Sequence, residues 1–456
     1  MSSKEYIDSL IKKAKAAIDK IEGYNQEQVD KMVRAAGKIV LDNARALSNE
    51  AVEETHFGSV ESKVAKHDAL GVMWDYLKGK KSVGVIDYDP IENVTTIAKP
   101  RGVIAAVVPS TNPTTTSAFN IMIGLKGRNA IIVAPHPNAK KCTKHTVDLI
   151  VGELNKLGAP EGLVQCIEEP TIELTGLLMG AADLIIATGG AGMVKAAYSS
   201  GTPAYGVGQG NLQVILDEDY KEIERMVLSI IGSRTYDLGV LCTGEQTLYI
   251  PTARREEVLD VFKAKGCYVL EDQSVIDKIR PIIFPDNGPI NRAIVGKTPH
   301  AACKILGVDI PEDTTLLLIE LKKFGKDEPL CREIMFPVLR FITYDKFEDA
   351  CAMGRTNLLI EGAGHTSIIY STDRERIVYC GEQLPVGRLL VEQIGAAGAG
   401  CTPENGLPPT LTLGGGTWGG NMISENLQYE QMYNITKVSG LIKDFKTPTY
   451  EETWDL

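Results

Sequence analysis

A parallel, doubly wound α/β sheet is the fold that the sequence predicts. Continuous apolar runs occupy residues 103–109, 130–135 and 184–188, and a shorter run covers residues 164–167. Amphipathic segments, such as residues 143–157, lie between these runs. Strands that are buried on both faces have near-continuous apolar sequences, and their alternation with helices is typical of a parallel sheet. In such sheets ligands bind beyond the carboxyl ends of the strands.

Helices and a hairpin are predicted ahead of this sheet. Apolar residues recur at three- and four-residue steps through residues 6–21 and 29–40, which predicts amphipathic helices packed on the core. A targeting helix for a protein compartment is the alternative for the first of them. Residues 82–100 contain two β-rich runs around the turn-forming sequence Asp87-Tyr88-Asp89-Pro90. A hairpin that projects from a large domain suggests pairing with a partner subunit.

Polar or glycine-rich loops follow three of the predicted strands, at residues 110–113, 136–138 and 189–192. The last loop opens a helix, so its backbone N–H groups are expected to face a phosphate. A plain turn from strand to helix explains its glycines equally well. A further strand is predicted at residues 212–216, and a helix connects it to the cysteine-containing stretch 236–246.

A second α/β domain is predicted after this stretch, because strand-like and helical segments alternate again. No change of composition marks a linker, so the boundary near Ser233 is inferred. The glycine-rich sequence at residues 414–421 predicts a flexible loop, followed by a helix and a short strand-like end. The expected strands of this second domain are residues 247–250, 294–295, 314–319, 337–343 and 366–371.

The overall composition excludes several classes of protein. The 456 residues carry a net charge of −11, which argues against a nucleic-acid-binding surface. The nine cysteines are scattered, without a C-x-x-C pair or a Cys/His cluster of metal-ligand spacing. We therefore expect a reduced, cytoplasmic protein without a metal. No secretory signal and no membrane span are expected, since no apolar run approaches the ~18 residues that a span needs.

Cys242 is the residue best suited to covalent chemistry. It lies on a short apolar run, in the sequence Tyr236-Asp237-Leu238-Gly239-Val240-Leu241-Cys242-Thr243-Gly244-Glu245-Gln246. A thiolate attacks a carbonyl carbon well and the resulting thioester is a good acyl donor, which favours acyl transfer or aldehyde oxidation. The alternative is that Cys242 is a small apolar core residue, as most buried cysteines are. Cys401 is its rival as a reactive thiol, and the other cysteines are interpreted as structural.

Several motifs occur in an order that resembles the aldehyde dehydrogenase superfamily over essentially the whole chain. They are Thr111-Asn112-Pro113, Ala134-Pro135-His136-Pro137, Ala187-Thr188-Gly189-Gly190, Gly208-Gln209-Gly210-Asn211, Cys242, Glu333 ahead of Phe336-Pro337-Val338, and Gly364-His365-Thr366. The resemblance implies an α/β fold with a Rossmann-type cofactor domain at residues 1–232, which includes the hairpin at about 82–100. It further implies an α/β catalytic domain at residues 233–410 and a C-terminal return and oligomerisation segment at residues 411–456.

Gly206 assigns the chain to one branch of that family. Members that release a free acid carry a glutamate at the position of Gly206, where it activates the water that hydrolyses the thioester. No carboxylate lies between Tyr205 and Leu216, so the thioester is expected to resist water and to await another thiol. The pattern resembles the branch that transfers the acyl group to coenzyme A. Within it the chain looks most similar to the CoA-dependent succinate-semialdehyde dehydrogenases.

The resemblance also implies roles for individual residues. The Cys242 thiolate attacks the aldehyde, and the Asn112 amide and the Cys242 backbone N–H hold the oxyanion. Hydride passes to NAD or NADP, and coenzyme A then takes the acyl group. His365, Thr114, Thr115 and Arg388 are candidates for the acyl or coenzyme A pocket. The expected cofactor-binding residues are His136, Pro137, Gly189, Gly190, Gly208 and Glu333.

Alternatives accompany these assignments. Glu333 is otherwise an exposed carboxylate at a helix end, His136 a capping or solvated histidine, and His365 a packed loop residue. The threonines after Asn112 are otherwise helix caps. The expected substrate is a short-chain anionic aldehyde, succinate semialdehyde or sulfoacetaldehyde, and the alternatives are acetaldehyde or butyraldehyde. A hydrolytic enzyme, a non-catalytic scaffold and a microcompartment cargo enzyme are the rival classes. A homodimer or homotetramer is expected, with no membrane partner.

Overall fold

The computed structural model describes residues 2–455, and fifteen strands in that part of the chain form three sheets. Sixteen α-helices accompany them within the same residues. The strands are β1 (Gly84–Asp89), β2 (Val94–Pro100), β3 (Val103–Val107), β4 (Ala130–Ala134), β5 (Val164–Cys166), β6 (Leu184–Thr188), β7 (Ala204–Val207), β8 (Leu212–Leu216), β9 (Glu245–Pro251), β10 (Tyr268–Leu270), β11 (Leu317–Glu320), β12 (Val338–Tyr344), β13 (Gly364–Tyr370), β14 (Val386–Val391) and β15 (Tyr433–Ser439).

The helices lie on both faces of the two larger sheets or connect their strands. They are α1 (Ser3–Ile21), α2 (Gln26–Asp42), α3 (Ala44–Thr55), α4 (Val60–Leu77), α5 (Pro113–Lys126), α6 (Lys140–Lys156), α7 (Ile172–Ala181), α8 (Ala191–Ser199), α9 (Ile223–Thr235), α10 (Arg255–Ala264), α11 (Gln273–Ile283), α12 (Pro299–Leu306), α13 (Phe347–Ile360), α14 (Arg374–Gln383), α15 (Gly395–Gly398) and α16 (Tyr450–Trp454). Helix α6 confirms the helix predicted at residues 143–157.

The first sheet confirms the predicted doubly wound fold. Its five strands are all parallel and follow the order β5-β4-β3-β6-β7. Every residue of β3 and β4 is buried, which explains their continuous apolar sequences. Helices α1 and α2 begin with capping boxes at Ser2 and Asn25, and their apolar faces join the same core. They confirm the two N-terminal helices, which α3 and α4 extend to Leu77.

The second sheet has seven parallel strands in the order β10-β11-β12-β9-β8-β13-β14. Strand β8 pairs with β9 and β13, so the change from the first sheet to the second falls before Leu212. The boundary predicted near Ser233 lies later in the chain than this change of sheet, because the sequence does not show which strands β8 pairs with. The strand predicted at residues 294–295 was wrong, since these buried apolar residues lie in a turn.

The third sheet contains the predicted hairpin. Strands β1 and β2 pair antiparallel, and the Asp89 carboxylate accepts the N–H groups of Ile91 and Glu92 at 2.9 and 3.0 Å in the turn. Strand β15, from the C-terminal part of the chain, pairs antiparallel with β2 and completes the order β1-β2-β15. Within residues 2–455, no helix combines the length and the apolar character required to cross a bilayer.

Candidate active site

Cys242 lies in the turn between helix α9 and strand β9, half-buried. The turn is tight, because Asp237, Leu238 and Gly239 have φ values of 49°, 53° and 74°. A Cβ atom on Gly239 would lie 2.5 Å from the carbonyl carbon of Phe336, so the position requires glycine. A Cβ atom on Gly210 would similarly lie 1.9 Å from the Cys242 carbonyl oxygen. The loop after β7 therefore passes directly over the cysteine backbone.

Arg234 ties this turn to the segment that carries Glu333. Its guanidinium is fully buried and donates to the carbonyl groups of Gly239 at 3.2 Å, Phe336 at 2.6 Å and Val338 at 2.9 Å. Burial lowers the pKa of Arg234 to about 10, while Glu245 and Glu333 act to raise it, so the side chain keeps its charge at neutral pH. A single cation thus fixes the cysteine turn relative to β12.

Helix α4 joins the Asn112 loop to the cysteine turn. The Lys66 ammonium donates to Asn112 Oδ1 at 2.6 Å and to the Asp237 carboxylate. The Lys63 ammonium contacts the same Asp237 oxygen at 3.2 Å and the Thr111 carbonyl at 3.0 Å. Asp237 is completely buried, and it also accepts the Ser59 N–H at 2.9 Å.

The two lysines were missed in the sequence, although a signal existed. Lys63, Lys66 and His67 occupy the same face of α4 as the buried apolar residues Leu70 and Met73. Charged residues that continue an apolar helical stripe are rarely buried without a partner, and such a stripe points to a buried polar network.

The charges around Cys242 favour a neutral thiol in the free protein. The pKa of Cys242 is raised to about 12, first by burial and then by Glu333, while Lys66 acts in the opposite direction. Glu333 is itself buried, and its own pKa is raised to about 8, first by burial and then by the neighbouring Glu361. The Glu333 backbone N–H donates to the Glu361 carboxylate at 2.6 Å.

A cleft of about 640 Å³ extends outward from this region. Helix α8 and the loop residues Gly208 and Gln209 form one wall, and residues 358–363, His365 and the glycine-rich loop of the C-terminal part form the other. Cys242 and Asn112 are not among the lining residues. The Cys242 backbone is adjacent to the cleft, because Gly210 follows the lining residue Gln209 and packs on the Cys242 carbonyl.

His365 is buried at the wall of this cleft. Its Nδ1 atom contacts the Thr366 hydroxyl at 3.2 Å, while Nε2 has no hydrogen-bond partner among residues 2–455. The pKa of His365 is lowered to about 3, first by burial and then by the nearby Arg388. The ring is therefore neutral at physiological pH.

Among the remaining pocket candidates, Arg388 and Thr114 already have protein partners. The Arg388 guanidinium is buried and donates to the carbonyl groups of His365 at 3.1 Å, Ser424 at 2.8 Å and Gly414. Thr114 and Thr115 are buried on α5, and the Thr114 hydroxyl contacts His67 Nε2 at 3.2 Å. These contacts fix the walls of the site and do not favour a direct role in holding a substrate tail.

The candidates for the cofactor lie at the carboxyl edge of the first sheet. His136 is exposed after β4, and its Nδ1 accepts the Asn138 N–H at 3.1 Å, so it caps the short turn that begins at Pro137. Gly189 and Gly190 form the turn that opens α8, and a Cβ atom on Gly190 would meet open space. Gly208 lines the cleft and is likewise unobstructed.

The place where a hydrolytic base would stand is filled. Gly206 lies buried in β7, and a Cβ atom there would lie 2.7 Å from Val194, 3.0 Å from the Tyr198 ring and 3.3 Å from Asn421 Oδ1. The Tyr198 hydroxyl accepts the Gly206 N–H at 3.0 Å and donates to Asn421 at 3.1 Å. A carboxylate side chain at residue 206 would have to displace this cluster.

Comparison with known proteins identifies relatives along the full chain. The model of the aldehyde dehydrogenase family matches residues 1–269. The succinate-semialdehyde dehydrogenase (acetylating) of Clostridium kluyveri is 47% identical over 100% of both chains. The sulfoacetaldehyde dehydrogenase (acylating) of Bilophila wadsworthia is 37% identical over 98% of this chain and 96% of its own.

Solved structures give the same relationship. An acetylating aldehyde dehydrogenase from Geobacillus thermoglucosidasius superposes with a TM-score of 0.93 at 36% identity, covering 98% of both chains. A propionaldehyde dehydrogenase of Rhodopseudomonas palustris, with bound CoA and an acylated cysteine, has a TM-score of 0.82 at 26% identity, covering 95% of this chain and 97% of its own.

Proposed function

Because this chain belongs to the aldehyde dehydrogenase family, we propose that it oxidises a short-chain aldehyde to an acyl-coenzyme A through an S-acyl intermediate on Cys242. The observation that carries the proposal is the filled space at Gly206. Without room for a carboxylate there, no base from that position can activate water against the thioester. A second thiol is then the natural acceptor. The reaction is reversible, because both ends of the transfer are thioesters of similar energy.

The residues around the cleft fit a nicotinamide cofactor. The open turn at Gly189 and Gly190 presents the first N–H groups of α8, which suit a phosphate. Gly208 leaves room along the wall, and the buried Glu333 carboxyl suits a ribose hydroxyl. His136 and Pro137 would border the adenosine end. When bound, NAD or NADP supplies the hydride acceptor.

Asn112 and the Cys242 backbone N–H would stabilise the tetrahedral oxyanion that forms when the Cys242 sulfur attacks the aldehyde carbon. One such donor is worth roughly 3 kcal/mol in the transition state. Loss of hydride from the tetrahedral carbon leaves the thioester. The coenzyme A thiol then loses its proton to solvent and its sulfur attacks the acyl carbon. The Cys242 sulfur departs as thiolate and recovers from solvent the proton that it released before its own attack.

His365 is suited to orient the coenzyme A thiol by a hydrogen bond. It is not suited to act as the base that removes the proton of that thiol. Its unpartnered Nε2 is an acceptor at the cleft wall. A ring with a pKa of about 3 binds a proton weakly compared with a thiolate, whose conjugate acid has a pKa near 8.5. We therefore assign it a hydrogen bond to the S–H group, which places the sulfur for attack.

An anionic substrate, succinate semialdehyde or sulfoacetaldehyde, is the proposed specificity. Its support is the similarity to relatives with those names, at 47% and 37% identity. Acetaldehyde and butyraldehyde are the alternatives. We also propose a homodimer or homotetramer in a reducing, cytoplasmic environment, since all nine cysteines are free thiols.

The deciding experiment is an assay of NAD(P)H formation with a panel of aldehydes, with and without coenzyme A, and with product analysis. The proposal expects turnover that requires coenzyme A, an acyl-coenzyme A product and the fastest rate with an anionic aldehyde. Free acid formed without coenzyme A would establish a hydrolytic enzyme instead. Equal or better turnover of acetaldehyde and butyraldehyde would overturn the anionic specificity but leave the reaction class intact.

A further inference from the structure

We propose that Lys66 is a positioning residue for the reaction, which orients the Asn112 amide and brings a positive charge to the turn that carries Cys242. The inference rests on the proposed function for its chemistry, and on helix α4 for its geometry. Lys66 projects from α4 with 10% of its side chain exposed, and it contacts both Asn112 and Asp237. Lys63 joins the same two segments, but through the Thr111 carbonyl and not through the Asn112 side chain.

The ammonium decides which way the Asn112 amide points. An ammonium group only donates hydrogen bonds, so the atom 2.6 Å from Lys66 Nζ must be the amide oxygen. The Asn112 NH₂ group is consequently directed away from Lys66. A donor to the amide oxygen also polarises the N–H bonds and strengthens them as oxyanion donors. Without Lys66 the amide is free to rotate and to present its oxygen to a developing negative charge.

The buried cluster of Lys63, Lys66 and Asp237 contains two ammonium groups and one carboxylate, so it carries one net positive charge. Lys63 and Lys66 share the single carboxylate of Asp237, which is fully buried. The groups that face Cys242 from the surrounding elements are Lys66 on α4, Glu333 ahead of β12, Arg388 on β14 and Cys401 after α15. Glu333 disfavours the thiolate, whereas Lys66 favours it. Arg388 donates to several backbone carbonyls, whereas Lys66 is the cation that contacts the Asn112 side chain and whose charge favours the Cys242 thiolate.

Lys63 provides the matched comparison. It shares the Asp237 carboxylate with Lys66, but its other contact is the Thr111 carbonyl and not the Asn112 side chain. A purely structural role for the cluster predicts similar effects for Lys63→Met and Lys66→Met. In either variant the Asp237 carboxylate keeps one lysine, which preserves the buried ion pair.

The test compares Lys66→Met, Lys66→Arg and Lys63→Met in two measurements on the full-length protein. The first is the rate of iodoacetamide alkylation of Cys242 against pH, followed by mass spectrometry of the Cys242 peptide so that Cys401 is counted separately. We expect Lys66→Met to slow alkylation about tenfold at a given pH, since loss of an opposite charge raises a pKa by about one unit or more. Lys66→Arg and Lys63→Met should stay within about threefold of the unsubstituted protein.

The second measurement is steady-state turnover with coenzyme A. Lys66→Met should lower kcat by about 10- to 100-fold with little change in KM for the nicotinamide cofactor, because a misdirected oxyanion donor acts on the transition state. Lys66→Arg keeps the positive charge but replaces the compact ammonium group by a planar guanidinium. Its kcat should therefore lie between that of Lys66→Met and that of the unsubstituted protein. Lys63→Met should retain most of kcat.

Three results would overturn the proposal. The first is a folded Lys66→Met protein whose alkylation rate and kcat are unchanged. The second is an equal change of alkylation rate and kcat in Lys63→Met and Lys66→Met. The third applies if Lys66→Met does not fold, and it is a Lys66→Arg protein with the full kcat of the unsubstituted protein. The alkylation measurement needs no aldehyde or coenzyme A. A protein without coenzyme A-dependent turnover whose alkylation still depends on Lys66 would therefore contradict the proposed function and support the placement of Lys66.

Discussion

The thiol of Cys242 is held in a setting that restrains its reactivity until substrate and cofactor enter. Burial and the Glu333 carboxyl both raise its pKa, while Lys66 and a backbone hydrogen bond at Cys242 act in the opposite direction. Glu333 has a pKa of about 8, so it is neutral at neutral pH and becomes an anion as the pH rises. The thiolate is thus disfavoured most strongly in alkaline solution, where it would otherwise form and oxidise.

Substitution of Glu333 by glutamine is expected to expose this coupling. At pH 9 the unsubstituted Glu333 is ionised and disfavours the neighbouring thiolate, so Glu333→Gln should speed alkylation of Cys242 by about tenfold. At pH 6 the carboxyl is already neutral, and the rates should be equal. Iodoacetamide labelling of the cofactor-free protein measures the alkylation rate at both pH values. A Glu382→Gln variant, in which an exposed glutamate is replaced, is the control. The same acceleration at both pH values would contradict the assigned ionisation.

Gly206 allows a stricter test of the absent base. The Gly206→Glu variant should not release free acid, because its side chain meets Val194, Tyr198 and Asn421. We expect a loss of about 1–3 kcal/mol in the free energy of unfolding, as for other overpacked sites. Denaturant unfolding and product analysis check both expectations. Gly176→Ala on α7, where a Cβ atom meets nothing, is the control. Free acid from a stable Gly206→Glu protein would contradict the steric argument.

At the scale of the element, the strands of the first sheet were predictable because burial on both faces leaves a continuous apolar sequence. The hairpin was predictable from its turn residues. Residues 294–295 show the limit of the same rule, since a buried apolar pair in a turn has the composition of a short strand. The sequence predicted strand β8 but not the sheet to which it belongs, because the pairing of strands that are distant in the chain leaves no local signal in the sequence.

The residues of the candidate site also fall into those that a local sequence motif indicates and those that only the folded structure brings together. Cys242 and Gly206 could be proposed from the sequence because each lies in a motif of adjacent residues. Lys66 was missed because its partners, Asn112 and Asp237, are distant in sequence and meet only when α4 packs between their loops. Arg388 was found as a charged residue near the site, yet its partners are backbone carbonyls, which a sequence does not reveal.

Arg388 is expected to act as a clamp on the glycine-rich wall of the cleft. Its contacts with Gly414 and Ser424 hold the two ends of that loop. Arg388→Lys cannot reproduce them, and we expect a loss of about 1.5–3 kcal/mol in stability together with a higher KM for coenzyme A. Denaturant unfolding measures the change in stability, and steady-state kinetics measure the KM for coenzyme A. An Arg225→Lys variant, in which an exposed arginine is replaced, is the control. A KM raised only for anionic aldehydes, with unchanged stability, would instead place Arg388 on the substrate tail.

For the whole molecule, the family was predictable because ordered motifs extend along the entire chain, and the comparisons confirm it. The third sheet is less visible in sequence, because β15 joins the hairpin from the far end of the chain. That sheet and the segment after it carry a set of large apolar side chains exposed to solvent, which are Val85, Tyr88, Ile91, Ile435, Val438, Leu441, Phe445, Tyr450 and Trp454. Exposed apolar groups on one small unit are typical of an interface.

We therefore expect the protein to form a dimer or tetramer through the third sheet. Ile435 and Val438 on β15 are 56% and 53% exposed, and a carboxylate at either position would be buried without a partner in an interface. Ile435→Glu and Val438→Glu should shift the mass measured by size-exclusion chromatography with light scattering toward the monomer. Leu228→Glu on α9, at 50% exposure, should leave the assembly intact. A monomeric unsubstituted protein, or equal dissociation by Leu228→Glu, would show that this sheet does not hold the subunits together.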